Sequence, residues 1–213
     1  MVTMSILSKA EHDRIAAAIA EAESQTSGEI YCVLAQRSDD YFYPSAFFVA
    51  LSILIVSLPL TVLAHYWWID LRPAVLLGGQ LAALATSLAL LLAAPRLRLL
   101  LVPLHLRYRR AHENAMRQFL ARNIHVTQKR TGVLIFVSLA EHYAEVLADA
   151  GIDARVPQER WNDAVETLTE AAKKGELTDG IVATIGLVGA ELATHFPAGN
   201  TNPNELDNHV IDI

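Results

Sequence analysis

The runs PSAFFVALSILIVSLPLTVLA at residues 44–64 and AVLLGGQLAALATSLALLLAA at residues 74–94 decide how this chain must be read. Neither holds an Asp, Glu, Lys or Arg, and Asp70 and Arg72 are the charges that separate them. At about 1.5 Å of rise per residue each run makes a helix of roughly 31 Å, matching a bilayer core of about 30 Å. The lengths predict two membrane-spanning helices joined through residues 65–73. A secretory signal would carry its apolar core within about the first 15–30 residues. Here residues 1–43 are polar-patterned, so the first run reads as a retained anchor.

Beyond the second run come Pro95, Arg96, Leu97 and Arg98, then a leucine-rich stretch and the basic Arg107, Arg109 and Arg110. An arginine at the bilayer centre costs about 2.5–3.5 kcal/mol on insertion scales. Ending the span near Ala94 avoids that cost. Residues 95–106 then read as an interfacial segment, leucines in the acyl boundary and arginines among anionic headgroups, with a re-entrant span as the alternative. The five arginines between 96 and 110 outweigh Arg72 of the connection, which Asp70 balances. The positive-inside rule places that side, and with it both polar parts of the chain, in the cytoplasm. Tyr66, Trp67 and Trp68 mark the opposite interface. Small residues at Ala74, Gly78, Ala82, Thr86 and Ala89 form a groove on the second helix, and Ala50, Ser57, Thr61 and Ala64 a looser counterpart on the first. The expectation is a tightly packed hairpin whose surroundings are the lipid bilayer.

The polar parts read as two halves of one soluble unit. Ser8 and Glu11 form a capping box, followed by Ile15, Ile19 and Ala22 at helical spacing. Residues 30–35 and 133–137 are apolar without alternation, as strands covered on both faces are. Between and after them, helices are expected from Tyr108 to about Arg122, from Pro157 at a first helical position with Trp161, Ala164, Val165, Leu168 and Ala172 inward, and from a Thr178 cap with Ile181, Ile185, Val188 and Leu192 inward. Residues 143–148 fit a strand or a helix equally. The tail from Ala198 runs over the surface, with Val210, Ile211 and Ile213 available to dock. Neither half alone covers a two-sided strand, so one sheet built from both is required.

Totals narrow the function. A net charge of −6 argues against a nucleic-acid partner. The single cysteine, Cys32, excludes an internal disulfide and sits in an apolar run where a buried, inert thiol is expected. No G-x-S-x-G, P-loop or dinucleotide fingerprint is present, and the histidines, His142 and His195 among them, show no metal-ligand spacing.

Thr26-Ser27-Gly28-Glu29-Ile30, the run from Thr131-Gly132 to Ala140-Glu141, Ala148-Asp149-Ala150-Gly151-Ile152, the late segment from Asp179-Gly180-Ile181 to Phe196-Pro197, and Asn204-Glu205-Leu206 together resemble the TPM-domain family. The likeness covers nearly all the soluble sequence and points to bacterial membrane relatives with the hairpin in this position. It implies an α/β fold, an α/β/α sandwich around a mixed sheet interrupted by the hairpin, and favours a strand at 143–149. Relatives outside this branch are associated with acid phosphatase activity, metal binding, or assembly and repair of membrane complexes.

A phosphatase needs a phosphoryl acceptor or a metal-activated water, together with positive charge for the transition state. Asp149, Asp153 and Arg155, with Asp163 as an addition, are the best local cluster for a hard cation such as Ca²⁺, Mg²⁺ or Mn²⁺. The same residues also read as solvated turn and helix-start groups. Without a catalytic constellation, the sequence favours an interaction or membrane-complex maintenance module with a membrane-protein partner. The metal-assisted phosphatase and an anionic-lipid-binding scaffold are the alternatives.

Overall fold

The computed structural model describes residues 6–67, 69, 72–127, 130–198 and 209–213. Trp68 and Asp70 of the connection, and the tail motif Asn204-Glu205-Leu206, lie outside the described residues. From the amino end the chain forms α1 (Lys9–Glu23), β1 (Glu29–Ala35), α2 (Phe42–Tyr66), α3 (Pro73–Ala93), α4 (Pro95–Leu101) and α5 (Leu104–Ala121). A 3₁₀ turn at Ile124–Val126 leads into β2 (Gly132–Ser138) and β3 (Tyr143–Ala148). Then come α6 (Ala150–Asp153), α7 (Gln158–Lys173), α8 (Leu177–His195) and β4 (Val210–Asp212). The chain divides into two compact units, one made of the residues up to Ser38 and from Tyr108 onward, the other of residues 39–107.

In the first unit, β1 and β2 run parallel in register from Glu29↔Gly132 to Ala35↔Ser138. β3 lies antiparallel to β2 and β4 parallel to β1, giving the order β3-β2-β1-β4 among the described residues. Every residue of β1 and β2 is buried, as their unbroken apolar pattern requires. Ile30, Cys32, Leu34, Val133 and Ile135 face a core with α1, α7 and α8. Tyr31, Val33, Leu134 and Phe136 face a second core with Ala115 and Phe119 of α5 and Ile124. This is a mixed sheet between helical layers. Burial pushes the Cys32 thiol up to about 12, with the Asp212 charge adding to it, so the sulfur stays a neutral packing group.

The ends of the elements depart from expectation in instructive ways. The Ser8–Glu11 capping box forms in full. Thr178 does not cap α8; Glu176 stands there, and the Thr178 hydroxyl donates to Glu11 Oε1 at 2.9 Å. Pro157 is the cap residue of α7 rather than its first helical residue. β3 resolves the ambiguity at 143–148 as a strand, and the tail docks as β4 on β1. Gly132 is obligatory because a Cβ there would sit 2.3 Å from the Ile124 carbonyl oxygen.

The second unit holds the antiparallel-patterned hairpin. α2, α3 and also α8 are long and apolar enough to cross a membrane by length and composition. α8 spends that surface on the core of the first unit, through Ile181, Ile185, Val188 and Leu192. α2 and α3 do not: Leu58 is 70% and Leu81 67% exposed. Between α2 and α3 the Gln80 amide donates to Ser57 Oγ at 2.8 Å. Ala50, Ser57, Thr61 and Ala64 lie on the half-covered side of α2 as expected. The stripe on α3 does not: Ala74, Gly78, Ala82, Thr86 and Ala89 are exposed, and a Cβ at Gly78 would meet nothing within 4 Å. The covered positions are Leu76, Gln80, Leu84, Ser87, Leu88 and Leu91. Residues 95–106 are helical apart from the break at Val102-Pro103, and the helix expected from Tyr108 begins at Leu104.

Candidate functional site

Among the described residues, Thr26-Ser27-Gly28, Thr131 and Phe196, each from a motif that carries the family resemblance, meet at the amino ends of β1 and β2. The Thr26 hydroxyl donates to the Phe196 carbonyl at 2.6 Å and accepts the Gly28 N–H at 3.1 Å. Thr131 Oγ1 donates to the Ser27 carbonyl at 3.0 Å, and the Ile30 N–H donates to Glu23 Oε1 at 2.8 Å. Strand ends and helix ends are thereby stapled to one another. Beside them Ser27, Gly151, Arg155, Phe196 and Pro197 line a cleft of about 460 Å³. The Arg155 guanidinium stands 5.0 Å from the centre of the Phe196 ring, a cation–π distance.

Asp149 is 5% exposed and starts α6, its Oδ1 accepting the Ala150 N–H at 2.7 Å. Its Oδ2 has no hydrogen bond and lies 3.6 Å from Nε of Arg130, a residue held in the left-handed region at φ 55°. Arg130 is a partner the sequence did not single out. Asp153, Arg155 and Asp163 are exposed. Asp163 lines a separate cleft of about 60 Å³ with Arg160 and Glu191, an ion pair at 3.2 Å. Among the described residues no three His, Cys, Asp or Glu side chains gather where they could hold a metal ion.

The basic segment is not an open row of charges. Arg96 is exposed and Arg107 half-buried with Nε unpartnered. Arg98, expected among headgroups, is instead 7% exposed. Its Nε donates to the Leu91 carbonyl at 2.8 Å, its Nη1 to the Asp40 carboxylate, and its guanidinium lies 5.3 Å from the Phe42 ring centre. A buried guanidinium needs such partners, and Asp40, near in space though far in sequence, supplies the charge. Arg109 and Arg110 each lie 3.3 Å from Glu113.

At the other end of the strands, the buried Glu141 carboxylate accepts the Ser38 N–H at 2.9 Å and the Ser138 hydroxyl, while Ser38 Oγ lies 2.8 Å from Ser138 Oγ. This clamp holds the residue after which the chain leaves the first unit. Next to it the end of β2, the start of β3, the last turns of α7 and the start of α8 line an open-sided cavity of about 710 Å³. No sequence motif announced it, because its walls come from four elements; of its lining residues, His142 reads locally as a surface or capping group and Lys173 as a helix-end charge.

A family model described as the TPM domain matches residues 75–191. The solved NMR structure of the BA42 protein from Bizionia argentinensis is similar to this chain with a TM-score of 0.62 and 20% identity, covering 99% of this chain and 97% of that one. At that identity the likeness speaks for the fold. No curated protein matches the chain. With more than half of its residues matched, and the mixed sheet and stapled motif ends in place, the chain belongs to the TPM-domain family.

Proposed function

We propose that this protein is a membrane-anchored TPM-domain module that acts through protein interaction or membrane-complex maintenance, its first unit on the cytoplasmic side of a bacterial inner membrane. The observation that carries the reading is the outer surface of the hairpin, where Leu54, Leu58 and Val62 of α2 and Leu77, Leu81 and Leu92 of α3 are each more than half exposed. Water disfavours such surface by about 25 cal/mol per Å², and a bilayer removes the penalty. The arginines at 96, 107, 109 and 110 against Arg72 supply the orientation, and the bilayer and a membrane-protein partner are the expected contacts. The metal-assisted phosphatase is the second reading; it draws on Asp149, Asp153 and Arg155 at one end of the sheet, with Asp163 on a separate cleft.

The test is labelling with a membrane-impermeant maleimide in intact cells. A Tyr66→Cys variant should react and a Glu159→Cys variant should not until the membrane is opened. The reverse pattern would overturn the orientation, and release of the protein by alkaline carbonate would overturn the anchor.

A further inference from the structure

We propose that the 710 Å³ cavity beside the carboxyl end of β2 binds an aliphatic carboxylate. Its volume falls in the range of about 300–1,000 Å³ typical of small-molecule sites. The walls are aliphatic, with Leu139, Leu168, Ala172 and Leu177 among them. The polar groups on the lining decide the class of ligand, because every hydroxyl is already committed. Ser138 donates to Glu141, Thr169 to the Glu166 carbonyl at 3.0 Å, and Tyr143 to Glu145 at 2.9 Å. Burial, reinforced by the Glu145 charge, raises the Tyr143 phenol well above its ordinary range and keeps it neutral.

The side chains left to engage a ligand are two bases, His142 and Lys173, and no carboxylate lines the cavity. Lys173 Nζ lies 2.7 Å from Glu170 on its own helix, but both side chains are more than half exposed. An exposed pair of this kind is worth about 0–1 kcal/mol, so an incoming carboxylate exchanges with it at little loss. With the hydroxyl protons in use, a ligand group that accepts hydrogen bonds must turn to the Lys173 ammonium and the His142 ring, and the fixed positive charge of Lys173 favours an anion over a cation. An aliphatic chain with one anionic end satisfies both walls and rim. The inference uses only residues of the first unit and is independent of the anchoring reading.

The experiment titrates [1-¹³C]octanoate into the full chain in lipid nanodiscs and follows the carboxyl resonance, with empty nanodiscs as the control. A saturable shift is expected with protein alone. Lys173→Gln should weaken binding about tenfold and Lys173→Arg less than threefold, since either cation can hold the carboxylate. Ala172→Phe, at an exposed α7 position that lines the cavity beside Lys173, should weaken binding by crowding the carboxylate end while the circular dichroism spectrum stays unchanged. A response equal to that of empty nanodiscs, octylammonium competing as well as octanoate, or Lys173→Gln and Ala172→Phe titrating like the unmodified protein would each overturn the proposal.

Discussion

Replacing Glu141 by alanine should destabilise the first unit by about 3 kcal/mol, the loss expected when buried donors lose a charged acceptor. The two donors are not equivalent. The Ser138 hydroxyl can rotate toward Ser38 Oγ, 2.8 Å away, and recover a partner. The Ser38 N–H points at Glu141 Oε1 and cannot turn. Relief from burying a carboxylate at 1% exposure offsets part of the loss. Glu141→Gln keeps an oxygen for the Ser38 N–H and lets Ser138 accept from the amide, so about 1 kcal/mol is expected there. In a unit of this size 3 kcal/mol corresponds to a Tm lowered by about 6–12 °C. Thermal unfolding of the full chain in detergent, followed by near-ultraviolet circular dichroism, reads the total. Amide exchange at Ser38 reads the local term, which should rise in the alanine variant well before exchange at Val33 does. A Tm within 2 °C of the parent for Glu141→Ala, or glutamine as harmful as alanine, would refute the clamp.

Three further outcomes follow from the geometry. Asp40→Ala should cost about 3 kcal/mol by stranding a buried guanidinium, whereas Arg98→Met should cost less because the Asp40 side chain, 55% exposed, can hydrate; thermal stability of the two single variants and the double variant in nanodiscs checks this. Hydrogen bonds from the Ser8 hydroxyl, the Ser8 N–H and the Thr178 hydroxyl hold the Glu11 carboxyl down from 4.5 to about 2. A depressed carboxyl stabilises the fold fully above pH 4.5 and loses that contribution as pH falls toward 2, so Glu11→Gln should flatten the Tm–pH curve in that window. Cys32, buried with its thiol pushed up to about 12, should resist iodoacetamide at pH 8 and be alkylated only in denaturant, as mass spectrometry would show.

The parts of the fold that were legible in the sequence are those fixed by local pattern. Apolar runs without alternation at 30–35 and 133–137 could only be strands covered on both faces, and the Ser8–Glu11 box closes over three residues. The departures come from partners distant in sequence. Thr178 looks like a cap until Glu11, 167 residues away, takes its hydroxyl. Arg98 looks like a headgroup ligand until Asp40 and the Leu91 carbonyl enclose it. Residues 143–148 stay undecided on pattern alone because β3 is an edge strand of mixed burial. The small residues of α3 do share a face, but spacing does not say which face is covered; the leucines at 84, 88 and 91 take that side. At the candidate site, Asp149 and Arg155 were found from local charge, whereas Arg130 and the cavity near Lys173 exist only once separate elements meet.

The central pair of strands has a consequence for biogenesis. β1 is synthesised early, yet its neighbour from Glu29↔Gly132 to Ala35↔Ser138 leaves the ribosome only after the whole second unit, residues 39–107, has been made. At about 5–20 residues per second that delay is roughly 5–20 s, during which a largely apolar strand waits unpaired. A nascent-chain holdase that shields residues 29–35 over that interval would suppress the aggregation to which an orphan strand is prone.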